Sequence, residues 1–344
     1  MTGPAPTSPH MTSLGGAGPV FENDLGSVQA VDADALPILH RLSAKRIVLH
    51  PGAMREPQWN VDANQLAYVV RGQVLVAMLG NADEFSSFVV DAGQMYHVPS
   101  GAVYHIENVG DDTAEIVLAL RSARPRHFSL RDSMSAMTDE VLGNTYDLAA
   151  SAFAGFRRPP AEQIVSRRNG TTPTVTDRLP NAHLFDVEGQ VAPLSYAYGS
   201  AHLARRQFWA ALDDISMYSL RVADDGMREP HWHPVTAEMG YVVSGAARMR
   251  VLDPDLTCDE YELRTGDLYF VPRAYPHHIE VLGDEGFHFV IFFDQPTPDD
   301  IGYRATASAF SREVLAATFD IPESELPAFP FTPIDPLIVR RRNR

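Results

Sequence analysis

The chain is poor in cysteine, in basic charge and in long apolar runs, and each shortage removes a class of protein. Its 344 residues contain one cysteine, Cys258, so no internal disulfide can form and nothing calls for an oxidising compartment. Lys and Arg number 28 against 44 Asp and Glu, a formal net charge of −16. That balance argues against nucleic acid or an anionic membrane surface as a partner. Only Arg340-Arg341-Arg342 runs the other way, within a basic tail expected over 336–344. No apolar run is long enough to cross a bilayer. The first 20 residues, rich in Gly, Pro, Ser and Thr, have neither the basic start nor the apolar segment of a secretory signal. A soluble cytoplasmic protein with a flexible lead over 1–25 is expected.

What the chain does have is an internal repeat. Arg55-Glu56-Pro57-Gln58-Trp59-Asn60 matches Arg228-Glu229-Pro230-His231-Trp232-His233 at an offset of 173 residues (228 − 55). The same offset sets Tyr68-Val69-Val70 on Tyr241-Val242-Val243, Gly72 on Gly245, Gly93 on Gly266, Pro99 on Pro272 and Ile106-Glu107 on Ile279-Glu280. It continues to Thr145-Tyr146-Asp147-Leu148 on Thr318-Phe319-Asp320-Ile321. A register kept over roughly 90 residues without a gap means a duplicated domain. Each copy reads as short β-rich runs divided by Gly, Asn and Asp, which favours a sandwich or barrel. Thr138-Asp139-Glu140 and Ser311-Arg312-Glu313 then read as capped helix starts. The boundaries expected are a first domain over 26–156, a linker over 157–180, rich in Arg, Pro, Thr and Asn, and a second domain over 181–335.

The chemistry is concentrated in the second copy. His231 and His233 lie two apart, and on a strand that spacing sends both imidazoles to one face, about 7 Å apart along the backbone. Glu238 follows after a bend at Pro234, and His277 lies beyond the turn-strand-turn pattern of 266–276, as expected if a neighbouring antiparallel strand supplies it. Three imidazoles and a carboxylate form an N/O set suited to a divalent transition metal.

His-x-His-x4-Glu-x6-Gly from His231 to Gly245, followed by Gly-x5-Pro-x4-His from Gly266 to His277, resembles the two-part metal motif of the cupin superfamily. The longer run Met-Arg-Glu-Pro-His-Trp-His from Met227, with Phe293-Asp294 beyond it, resembles the oxalate decarboxylase-type bicupins. The resemblance implies an all-β dominated fold of two tandem cupin (jelly-roll type) β-barrels with short helical tails, and tails that join protomers into a homo-trimer or hexamer. It implies Mn first and Fe as the alternative, one ion per chain held by His231, His233, Glu238 and His277. Zn fits less well, since it prefers four ligands and this set leaves two further positions on an octahedral ion.

In the first copy every ligand is replaced: Gln58 stands on His231, Asn60 on His233, Gln65 on Glu238 and Tyr104 on His277. That barrel is expected to be metal-free, its cavity filled by these side chains bonding one another or holding a small ligand. His105 aligns with His278 and points to the opposite face. The resemblance also implies that Arg228 contacts a substrate carboxylate, although plain alternation sets it opposite His231 unless Pro230 marks a bulge. In the resembled decarboxylases a mobile lid carries a glutamate that handles a proton. Here Asp300 holds that position, one methylene shorter, on a loop over 294–302 expected to be mobile. The function expected is a metal-dependent enzyme acting on oxalate or another small carboxylic acid. An oxidase or dioxygenase on a different small metabolite, with dioxygen as co-substrate, is the first alternative, and a non-enzymatic ligand-binding bicupin the second.

Overall fold

The computed structural model describes residues 8–81, 84–156, 163–171 and 180–343. It divides into two compact units, each an antiparallel β-barrel with a core of its own. In the first unit, one sheet is ordered Phe85–Asp91, Gln73–Leu79, Val103–Asn108, Ala53–Asn60, with His127–Ser129 and Val165–Arg167 both paired to Ala53–Asn60. A second sheet runs from Leu184–Phe185 through Met95–Val98, Gln65–Arg71, Ala114–Leu120 and Ser43–Leu49 to Gly26–Val31 and Phe21–Asn23. Alternation along these strands turns Ile47, Val69, Val76, Tyr96, Ile106 and Leu118 into one buried cluster.

The second unit repeats this plan strand for strand, but its ladder is continuous. Glu238–Leu252 and His277–Phe293 are long enough to run through both layers, and their pairing shifts register between Val242 and Ser244 and again at Gly245. Such bulges bend a strand and raise its twist, which lets one strand turn the corner of the barrel. At Gly245 the φ of 89° admits glycine readily and most other residues only with strain. Val242, Met249, Tyr269, Ile279, Phe289 and Phe293 fill the interior.

After each barrel comes a short helix, Asp139–Tyr146 and Arg312–Phe319. Each is capped at its start by a hydroxyl, Thr138 or Ser311, and ended by an aspartate in left-handed conformation, Asp147 or Asp320. The helical tails therefore stand where the capping pattern put them.

Two sequence expectations need correction. The lead expected to be flexible over 1–25 holds, over 11–13, a strand on the edge of the second barrel, Met11 opposite Tyr269. His10 and Leu14 are 0% exposed there, and the imidazole of His10 lies 3.0 Å from the carbonyl of Phe270. A sheet edge with free N–H and C=O groups is the partner that composition could not reveal. Likewise, within the expected linker over 157–180, Val165–Arg167 is a strand on Ala53–Asn60, with Val165 buried in the first core. It is the counterpart of Ile338–Arg340, which pairs with Gly226–Trp232. Of that linker, 157–162 and 172–179 lie outside the described residues. Among the described residues no helix is long and apolar enough to cross a membrane.

Candidate metal centre

The centre is built on three strands of the second barrel. Along Gly226–Trp232 the ladder to His277–Phe293 shifts register between Arg228 and His231, a bulge at Pro230, which has no N–H to give the ladder. The shift brings Arg228 inward together with His231, and they are 4% and 1% exposed. The bulge on which the inward position of Arg228 depended is therefore present. His277 stands directly across the ladder from His231, with ring centroids 4.1 Å apart. Glu238 begins the strand Glu238–Leu252 and pairs with Val271 and Phe293. The ligand-capable atoms of His231, His233, Glu238 and His277 all lie within 4.8 Å of one another, and all four residues are buried.

Each imidazole is aimed from behind. The Nδ1 of His231 donates to the carbonyl of Glu229 at 2.7 Å, that of His233 to the carbonyl of Asp299 at 2.7 Å, and that of His277 to the carbonyl of Tyr275 at 2.9 Å. A ring that donates from Nδ1 keeps its Nε2 lone pair when neutral, the tautomer a metal requires. Two acceptors then face each other, His233 Nε2 and Glu238 Oε2, at 2.8 Å, and only a proton or a cation between them removes the conflict. The buried Nε2 of His277 has no hydrogen-bond partner, although it lies 3.4 Å from Glu238 Oε2. These donors fit a divalent ion.

Electrostatics agree. Burial, then Arg228 and the other two imidazoles, hold His231 well below the usual histidine range. Burial alone would raise Glu238, but His277 and His233 reverse it and hold the carboxyl well below the carboxylate range. Tyr269 donates to Glu238 Oε1 at 2.6 Å, fixing the second oxygen. That role was not legible beforehand, since a tyrosine on a barrel strand reads as core. The nearest signal was Gly240, directly opposite Tyr269, where an added Cβ would come within 2.1 Å of the Tyr269 ring.

A cavity of about 150 Å³ opens beside the ligands, lined by Arg228, His233, Glu238, Asp299, Asp300 and apolar side chains including Phe293 and Leu337. Arg228 donates to the Leu337 carbonyl at 3.0 Å and makes an ion pair with Asp300. The loop expected to be mobile is tied down along its length in this structure. Asp294 accepts from Thr236 Oγ1 and the Ala237 N–H, Gln295 from Ser216, and Pro296 from the Arg206 N–H, while Gly302 donates to Asp335. A larger hollow of about 1020 Å³, lined by Glu229, Pro230 and the helices over 303–319, touches none of the four ligands. The smaller cavity is the one next to the chemistry.

In the first barrel the replacements come together as their alignment requires, with Tyr104 across the ladder from Gln58. Arg55 donates to Gln58, Gln58 to Tyr104 and Tyr104 to Gln65, at 2.6, 2.8 and 2.6 Å. His105 instead meets Glu107 at 2.8 Å, away from this chain of bonds. Among the described residues, only the second barrel brings together a metal-binding group of His, Cys, Asp and Glu.

The family model described as Cupin matches residues 12–152 and 211–326. Over 314 residues the chain is 26% identical to the oxalate decarboxylase OxdC of Bacillus subtilis, covering 86% of this chain and 78% of that protein. It is 23% identical over 300 residues to a probable oxalate decarboxylase of Arthroderma benhamiae, covering 83% and 73%. A solved structure of oxalate decarboxylase from Bacillus subtilis matches with a TM-score of 0.85 at 22% identity, covering 98% of this chain and 89% of that one. The two matched stretches fall on the two barrels, and the chain belongs to the cupin family, as a bicupin.

Proposed function

We propose that this bicupin is a metal-dependent enzyme of the oxalate decarboxylase type, acting on oxalate or another small carboxylic acid at a single site in its second barrel. The observation that carries the reading is the set of three imidazoles, each aimed by a backbone carbonyl, beside a small cavity that holds an arginine. His231, His233, Glu238 and His277 would hold one ion per chain, Mn first and Fe as the alternative. The relative from Bacillus subtilis has Mn(II) centres. When bound, such an ion supplies a Lewis acid that polarises the acid and takes up charge as a carbon–carbon bond breaks.

The chain's own residues supply the rest. A cavity of about 150 Å³ holds the volume of roughly five waters, at ~30 Å³ each, well under a drug-sized pocket, so the substrate is small. The planar fork of Arg228 suits a carboxylate. Asp300 pairs with that guanidinium; a substrate carboxylate would compete for it, and the released Asp300 carboxylate would take the proton that the acid substrate brings and return it to the product. Phe293, Ile291 and Leu220 form apolar walls that exclude water.

One feature favours the second reading, an oxidase or dioxygenase. Asp300 is short and tied to Arg228, whereas oxidation of a small acid by dioxygen needs no lid acid. The test is metal analysis of the purified chain, then carbon-dioxide release and oxygen uptake across a panel of small acids. About one ion per chain is expected, with loss of ion and turnover but not of fold in His233→Ala. Near two ions per chain, or full metal content in that variant, refutes the single site. Carbon dioxide without oxygen consumption separates the decarboxylase from the oxidase.

A further inference from the structure

The residues around Arg228 have counterparts in the first barrel at the same offset, and their net charge has shifted toward positive although Asp32 stands where Arg205 does. Lys45 stands where Tyr218 does, Arg55 where Arg228 does, His127 where Asp300 does, and Asn60 and Gln65 where two metal ligands do. The cavity of the second barrel is lined by two guanidinium groups, Arg205 and Arg228, and three carboxylates, Glu238, Asp299 and Asp300. At the matching positions the first barrel has Asp32, Arg55, Gln65, Arg126 and His127, with Lys45 in place of Tyr218, so one carboxylate stands with three cations. Arg55 is 3% exposed and held as Arg228 is, donating to the Ile164 carbonyl at 3.3 Å as Arg228 does to that of Leu337. Lys45 shares the inner face of Ser43–Leu49 with Ile47 and Leu49, and it has no hydrogen-bond or ion-pair partner among the described residues.

The chain of bonds from Arg55 through Gln58 and Tyr104 ends on the Gln65 carbonyl oxygen. It leaves two buried amide donors, Asn60 Nδ2 and Gln65 Nε2, with no acceptor, on residues each 1% exposed. Buried donors are nearly always satisfied, and one that is not calls for an explanation. The Lys45 ammonium and the two unanswered amide donors, at positions that line the cavity in the other copy and beside the Arg55 guanidinium, are all answered by one kind of group, an anion with at least two acceptor oxygens. We propose that the first barrel binds a small carboxylate without a metal, through the charges of Lys45 and Arg55 and the amides of Asn60 and Gln65, with His127 at its rim.

The electrostatics point the same way. Burial first, and then Arg55, push the Lys45 ammonium down to about 8, with Asp32 opposing. Burial, then Lys45 and Arg55, push His127 down to about 4, with Asp132 opposing. The Asp32 carboxylate is engaged by the N–H groups of Asp34 and Ala35 at 2.9 and 3.2 Å. A bound carboxylate offsets the repulsion between the two cations and answers the amides.

The test uses the full chain with its second site silenced, either by His231→Ala or by chelator treatment of the unmodified protein, the fold being verified by circular dichroism. Formate and oxalate are titrated in a calorimeter. One binding event per chain is expected to remain. It weakens about tenfold to a hundredfold in Lys45→Met, the loss of one charge-assisted hydrogen bond, and returns in Lys45→Arg. Arg55 also supports Gln58, so Lys45 is the cleaner position. Absence of any event in both silenced backgrounds, or an event that Lys45→Met leaves unchanged, overturns the proposal. Either outcome is independent of turnover at the second barrel, which wild-type activity reports separately.

Discussion

Acid should strike the first barrel at a buried histidine. His97, on strand Met95–Val98, is 3% exposed and neither ring nitrogen has a hydrogen-bond partner. Its ring stacks on His183 at 6.0 Å and meets the edge of Trp209 at 6.2 Å, with the charge of Asp213 nearby. Burial first, and then His183, lower it from the ordinary 6.5 to about 4, Asp213 opposing. The unfolded chain therefore takes up a proton below pH 6.5 that the folded chain refuses until about pH 4, and stability falls as pH falls through that window. At ~1.36 kcal/mol per pH unit, the loss reaches about 3 kcal/mol by pH 4. The second barrel has Phe270 at the matching position, so His97→Phe is the substitution with a precedent in the same fold. Urea unfolding followed by fluorescence at steps from pH 7.5 to pH 4 should show the wild type losing about 3 kcal/mol more than His97→Phe. If the two proteins decline in parallel, His97 is not held neutral and the reasoning fails.

Asp300→Asn should remove most turnover and leave metal content unchanged, while Asp299→Asn, which changes a residue whose carbonyl orients His233, should cost less. Wild-type activity in Asp300→Asn would discard the lid acid and favour the oxidase. The helices after each barrel expose Val141, Tyr146, Val314 and Phe319, each at least half exposed, a surface suited to self-association. Light scattering is expected to give a trimer or hexamer of the 37.9 kDa chain, and a monomer at working concentration would refute this.

The candidate ligand set was legible because its spacing is tied to strand geometry: two residues apart on one strand, one across the ladder, one at the head of the next. The duplication did the rest, since Gln58, Asn60, Gln65 and Tyr104 stand against the candidate ligands one by one at a constant offset. Features that depend on a distant backbone were not legible. Nothing in residues 8–16 indicates that their strand pairs with Asp267–Val271, because edge pairing uses main-chain groups that every sequence has. Composition made 157–180 read as a linker, yet Val165 lies on Ile338 at the same offset, so the repeat carried the better signal there. The role of Tyr269 depends on a glycine across the ladder, a relation that appears only once register is known.

Arg228 shows how one side chain can carry two duties. The guanidinium remains in both copies although every candidate metal ligand is replaced in the first, so metal binding alone would not explain it. In each barrel it also donates to a carbonyl just before the last strand, that of Ile164 or Leu337, and so ties that strand to the motif strand it pairs with. Removing Arg228 would therefore leave the Leu337 carbonyl with the Glu229 N–H as its one remaining donor among the described residues, as well as removing the guanidinium from the cavity, and a loss of activity would not say which mattered. The positions that discriminate are those where the copies differ. Asp300 against His127 and Tyr218 against Lys45 alter the charge around a retained arginine without disturbing its backbone anchor. On this backbone, then, the guanidinium is the common part, and the residues facing it set the chemistry of each barrel.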